Sequence, residues 1–307
     1  MLVTLNEVLK DAKKNKYAVG LFNTVNLEMA KGVLAAAEEA KSPVIIGTAE
    51  VLLPYSSLEE LASMLVPLAK RASVPVVLHF DHGLTCDCVH KAIALGFTSV
   101  MYDCSTKSYE ENCKDVASVV KFAHENGISV EAELGHVGAN ESSAENHGPD
   151  DHSIYTDPRE AKLFAECTGV DALAVAIGTA HGAYKSKPKL DLDRLSEIAQ
   201  MVEIPLVLHG GSGLSDDDFR KAIANGISKV NIFTDINNAA SKAAHDHFKS
   251  GLGMTDLMYF ITDAVKQATL EKMRVFGCMG YADHYREYVV QAVVEQVVST
   301  LRVGKRS

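Results

Sequence analysis

An α/β fold of the (β/α)8 TIM barrel type with extra C-terminal helices is what this 307-residue sequence predicts, on three observations. Short, apolar, β-branched segments recur along the chain. Amphipathic stretches of helical period separate them. No glycine-rich dinucleotide turn follows the first apolar segment, where FNTVNLEMA stands instead. Strands that are apolar on both faces belong to a parallel sheet covered by helices. An open doubly wound sheet shares the alternation but ordinarily carries that glycine turn, so the closed barrel is preferred.

The eight strand candidates, in order, are YAVGLF from Tyr17, VIIG from Val44, VVLHF from Val76, SVMYD from Ser99, SVEAEL from Ser129, ALAVAI from Ala172, LVLHG from Leu206 and KVNIF from Lys229. Between them, apolar residues recur at helical spacing, as Leu27, Ala30, Leu34 and Ala37 do after the first strand. Pro75 and Pro205 stand just before their strands, where a missing N–H costs no ladder bond. With no low-complexity linker or proline-rich hinge, the whole chain, 1–307, reads as one barrel domain with 255–307 as a helical extension. Its two helical stretches, 255–276 and 283–301, could cap the barrel or serve a subunit contact; a homodimer or homotetramer is the expected assembly.

Composition narrows the function. The apolar fraction, 47%, is enough to build a core, which excludes a disordered chain. A net charge of −10 argues against a nucleic-acid surface, which needs a basic stripe. Any phosphorylated ligand must therefore be held locally, by backbone amides, a lysine or a metal. No apolar run reaches the length of a membrane span, and the N-terminal segment mixes charges unlike a signal peptide. The six cysteines form no C-x-x-C pair and read as reduced thiols, so a cytoplasmic location is expected.

In such a barrel the chemistry gathers at the C-terminal ends of the strands. There the chain places Asp81 and His82 on strand three, Asp103 on strand four and Glu133 on strand five. His181 follows strand six and His209 follows strand seven, while Asn231 and Thr234 mark strand eight. Three histidines from three strand ends, with an open fourth position, suit a catalytic Zn2+. His82, His181 and His209 are the expected ligands. His90, His124 and His245 lie within predicted helices, and His147 and His152 in a polar loop; these read as structural or solvated. Asp103 and Glu133 either orient the ligand histidines or supply a second cation position, divalent or monovalent.

HGGSG at 209–213 follows strand seven and NIFTD at 231–235 ends strand eight, the usual phosphate region of this fold. Glycine lets backbone N–H groups approach phosphate oxygens, and the following helix N-terminus adds its dipole. Lys185, just after His181 and Gly182, strengthens that reading.

HFDHG, VEAELG, AIGTAHGAYK, LVLHGGSGL and KVNIFTD, in this order and spacing, resemble the motifs of the class II, metal-dependent fructose-bisphosphate aldolase family, which includes tagatose-bisphosphate aldolases. The likeness spans roughly 5–277. It implies that a phosphosugar, a ketose (bis)phosphate such as fructose or tagatose 1,6-bisphosphate, is cleaved reversibly to dihydroxyacetone phosphate and an aldehyde such as glyceraldehyde 3-phosphate. It makes Asp81 the proton-transferring residue at the C4 hydroxyl and His82, His181 and His209 the zinc ligands, with zinc as Lewis acid. It puts Asp103 and Glu133 at a second metal position. It assigns Gly182, Gly210, Gly211, Ser212, Asn231, Ile232, Phe233 and Thr234 to the dihydroxyacetone phosphate half, with Lys185 beside the phosphate.

The family loop after strand five usually reads close to G-G-x-E-D, whereas this chain has GANESSAE at 138–145. The loop carboxylate that handles the C3 proton is thus Glu141 or Glu145. Some bisphosphate-cleaving members carry arginine where this chain has Asn237, and many carry serine at Ala49. Two rivals are a barrel metallohydrolase, which usually begins with His-x-His on strand one, and a silent scaffold. LFNTVN offers no such histidine, and an intact Asp81 beside the three histidines counts against a scaffold.

Overall fold

The computed structural model describes residues 1–135, 137, 155–180, 188–249 and 251–285. The strands are β1 (Leu2–Val3), β2 (Val19–Asn23), β3 (Val44–Ala49), β4 (Val76–Gly83), β5 (Ser99–Tyr102), β6 (Ser129–Leu134), β7 (Ala172–Val175), β8 (Leu206–Leu208) and β9 (Ile227–Ile232). From β2 to β9 each strand pairs in parallel with the next, and β9 pairs with β2, so eight strands close into a barrel. All eight strand candidates are there. β1 is an addition that periodicity could not reveal, two residues paired to the foot of β4.

The helices are α1 (Leu5–Asn15), α2 (Leu27–Ala40), α3 (Leu58–Arg71), α4 (Cys86–Ala94), α5 (Tyr109–Glu125), α6 (Pro158–Thr168), α7 (Leu192–Met201), α8 (Asp216–Ala224), α9 (Thr234–His247) and α10 (Met254–Phe276). From α2 to α8, each begins on a side-chain cap: Asn26, Ser57, Thr85, Ser108, Asp157, Asp191 and Ser215 each accept a first-turn N–H. Such caps satisfy N–H groups that have no partner within the helix. α9 and α10 end the pattern: their N-caps are Phe233 and Gly253, and no side chain caps either.

The first of the two expected C-terminal helices is α10, which lies on the flank of the barrel. It crosses α2 where Gly32 leaves no room for a Cβ, the nearest atom being the Thr262 carbonyl oxygen. Its last carbonyl, on Phe276, accepts the Ala18 N–H at 3.0 Å, tying it to the foot of β2. The second, 283–301, falls outside the described residues from 286 onward. None of the described helices is long and apolar enough to cross a membrane.

Candidate active site

β4 builds the first part of the site by breaking its own regularity. Alternation along a strand would send Asp81 and His82 to opposite faces. The register with β5 shifts between Phe80 and Gly83, and His82 adopts φ +41°, the left-handed region a side chain seldom enters. The bulge re-aims His82 to the same side as Asp81. Such backbone strain costs on the order of 1–3 kcal/mol and clusters at functional sites. Nδ1 of His82 is held 2.7 Å from Oδ2 of Asp103, which follows β5. Burial opposes charge on this ring, but Asp81 and Asp103 together raise its pKa.

His209 follows β8, fully buried, its ring centroid 4.6 Å from that of His82. Two β6 carboxylates hold it: Nδ1 lies 2.7 Å from Oε2 of Glu133 and Nε2 2.9 Å from Oε1 of Glu131. Burial works against protonating His209, yet these two hydrogen-bonded carboxylates push its pKa up to about 10. Glu133 also accepts the Val137 N–H at 3.0 Å, so the start of the following loop is tied to the same carboxylate.

Below this layer lies a second one, built at i and i−2 on the same strands. His79 sits under Asp81, Glu131 under Glu133 and Lys229 under Asn231, all with fully buried side chains. Lys229 Nζ is 2.9 Å from Oε2 of Glu131 and donates to Oδ1 of Asn231 at 2.6 Å. Asn231 Nδ2 donates to Oδ1 of Asp81 at 3.0 Å, and Asn23 Nδ2, from the end of β2, to Oδ2 of Asp81 at 2.7 Å. Burial alone would raise the Asp81 pKa, but His82, Lys229 and His209 drive it well below the usual carboxylate range. Burial and the Lys229 charge hold His79 down at about 4, so that ring is neutral.

The donor set fits a metal ion. One donor atom each from Asp81, His82 and His209 lies within 4.8 Å of the others, and the same holds for His82, Asp103 and Glu133. Imidazole nitrogens mixed with carboxylate oxygens are the chemistry of a divalent transition metal. Carboxylates on Nδ1 of both His82 and His209 are the partners that orient ligating rings. His181, Gly182, Lys185, Glu141 and Glu145 lie outside the described residues. Ala180, the last described residue before them, packs against Gly210, whose φ is +64° and where a Cβ would have no room.

The glycine loop meets the start of α9. Ser212 Oγ accepts the Phe233 N–H at 3.3 Å, joining the loops after β8 and β9. Gly211 packs against Val230 and the Asn231 carbonyl, where a Cβ would not fit. Thr234 opens the uncapped helix, leaving first-turn N–H groups for an anion. Ile232 is fully buried within β9, and the Asn231 side chain turns inward to Asp81.

Asp81, His82, Asp103, Glu133 and His209, distant in sequence, thus converge as expected. The residues that sequence reasoning missed are Asn23, His79, Glu131 and Lys229. A signal existed: each of the last three is a polar residue two positions before a residue already singled out, inside an otherwise apolar strand. His124, read as structural, joins Asp171 at 2.9 Å on the opposite side of the barrel.

Comparison with known proteins adds an independent finding. The family model described as Fructose-bisphosphate aldolase class-II matches residues 3–281. The Escherichia coli K12 protein described as "Uncharacterized protein YdjI" is 43% identical over 283 residues, covering 92% of this chain and 100% of that one. A fructose-bisphosphate aldolase of Geobacillus stearothermophilus is 41% identical over 287 residues, covering 92% and 99%. The crystal structure of the YdjI aldolase matches with a TM-score of 0.81 over 92% of this chain and 100% of that one, at 39% identity.

Proposed function

Because this chain belongs to the class II fructose-bisphosphate aldolases, a family of metal-dependent aldehyde-lyases, we propose that it cleaves a ketose phosphate reversibly to dihydroxyacetone phosphate and an aldehyde. The observation that carries this reading is the convergence of Asp81, His82, Asp103, Glu133 and His209 in two overlapping, largely buried groups that share His82 at the C-terminal end of the barrel. His82 and His209, with His181, would hold zinc. Bound there, it supplies Lewis-acid polarisation of the ketose carbonyl and a sink for the electrons of the breaking C3–C4 bond. Asp103 and Glu133 orient the two histidines through Nδ1, which favours that task over a second cation position.

Asp81 takes the proton from the C4 hydroxyl in cleavage and returns it in condensation. The amides of Asn23 and Asn231 fix both of its oxygens, so the carboxylate presents one geometry to the substrate. The C3 proton falls to Glu141, with Glu145 the alternative. Gly210, Gly211, Ser212 and the start of α9 bind the near phosphate, joined by Lys185. The uncapped start of α9, which the Ser212–Phe233 hydrogen bond sets beside the glycine loop, supports this.

A second reading concerns the far end of the substrate. Asn237 lies exposed in the first turns of α9, and Ala49 ends β3 in register with Asp81. A neutral asparagine replaces a bidentate arginine clamp. A charged hydrogen bond contributes roughly 1.5–3 kcal/mol against about 1 for a neutral one, so preference for a distal phosphate falls by about tenfold. Arg274 and Lys107 are the basic residues that could stand in for the arginine, and Lys107 is engaged with Asp115 at 2.7 Å. Ketose 1-phosphates with an uncharged distal end should therefore be used comparatively well. The test is kcat/KM for fructose 1,6-bisphosphate, tagatose 1,6-bisphosphate and their 1-monophosphates, with Asn237→Arg alongside. No cleavage of any ketose phosphate would remove the aldolase reading. Strong preference for one bisphosphate, unimproved by Asn237→Arg, would remove the second.

A further inference from the structure

Lys229 is an ammonium group inside the barrel, 0% exposed, where this fold ordinarily packs branched apolar side chains. Stability does not call for it. A buried ion pair such as Lys229–Glu131 is often matched or bettered by apolar residues of similar volume. What Lys229 does supply is direction. An ammonium has only donors, whereas an asparagine amide has a donor end and an acceptor end. By donating to Oδ1 of Asn231 at 2.6 Å, Lys229 forces Nδ2 of that amide toward Asp81, which it reaches at 3.0 Å. Without the lysine, only the carboxylate itself, an acceptor, favours the amide end of Asn231 over its carbonyl end. Asn23 makes the contrast. Its Nδ2 also serves Asp81, but its Oδ1 is buried with no hydrogen-bond partner among the described residues. Of the two amides on Asp81, only that of Asn231 is fixed at both ends.

We propose that Lys229 is a positioning residue for the cleavage reaction, acting through Asn231 to hold Asp81 in the geometry that receives the C4 hydroxyl proton. The inference rests on the proton-transfer role given to Asp81 above. It places the lysine two steps from the substrate, in no covalent role.

The experiment is a double-mutant cycle on the full-length, zinc-loaded protein with Lys229→Met, Asn231→Leu and the pair, using the best ketose phosphate of the panel. Lys229→Met should lower kcat by about 10–100-fold, the usual cost of losing an orienting partner, with KM little changed. The pair should be no slower than Asn231→Leu alone, because the lysine's effect passes through that amide. Lys229→Gln, which keeps a donor but no charge, should recover part of the loss and stays readable if the methionine variant does not fold. Two further measurements exclude a general structural effect. Zinc content, by atomic absorption, should equal that of the wild type. Exchange of the reactive C–H of dihydroxyacetone phosphate with solvent deuterium, a step assigned to the loop carboxylate, should be spared relative to cleavage. Full kcat in both lysine variants, additive losses in the pair, or loss of zinc in step with activity would each overturn the proposal. A wild type that cleaves no ketose phosphate would instead strike the aldolase reading itself.

Discussion

The two ends of this barrel treat charge in opposite ways. At the N-terminal end, charged side chains close gaps in the backbone. Lys13 Nζ donates to the carbonyls of Val202, Glu203 and Ile204 at 2.9, 2.6 and 3.0 Å. Asp171 accepts the Val130 N–H at 2.8 Å and Asn6 Nδ2 at 3.1 Å, and pairs with His124. At the C-terminal end, charged side chains face one another around His82 and His209. A cleft of about 470 Å³ lined by Asn6, Lys10, Lys13, Lys14, Asp171 and Glu203 lies at the N-terminal end. Buried carboxylates and imidazoles in mutual contact mark the chemistry at the C-terminal end, because that arrangement costs stability unless a metal or a substrate uses it.

Metal removal should have the largest effect. Exhaustive chelation should abolish cleavage and added zinc restore it, while borohydride with substrate should leave activity intact, since a metal-dependent aldolase needs no Schiff-base lysine. A metal-free protein with full turnover would erase the distinction between the two ends. Next comes Asp81→Ala, which should keep zinc and bind dihydroxyacetone phosphate while losing about 10²–10⁴-fold in kcat. Loss of zinc in this variant would place Asp81 among the ligands. The smallest effect is expected at the other end. Asp171→Ala removes the acceptor of a partly buried N–H and should cost about 1–3 kcal/mol in denaturant unfolding, with kcat and KM unchanged. A fall in turnover matching that of Asp81→Ala would show that the two ends are not separable.

The strands were legible because hydrophobic alternation and proline placement are local; all eight candidates were found. Asp81, His82, Asp103, Glu133 and His209 were legible because strand ends of a barrel must converge. Lys229 and Glu131 were not, since a lone charge in an apolar strand names no partner: 98 residues separate the two. His181 and Lys185, read from their place after strand six, and Glu141, reached through the family loop, lie outside the described residues.

By itself the sequence determined the order of strands and helices and the family, both properties of short segments or of their succession. Tertiary structure alone decided the left-handed turn at His82, the orientation of the Asn231 amide and the charged layer beneath Asp81. Each depends on atoms brought together from distant strands, and the energy of a buried charge is set by its neighbours in space.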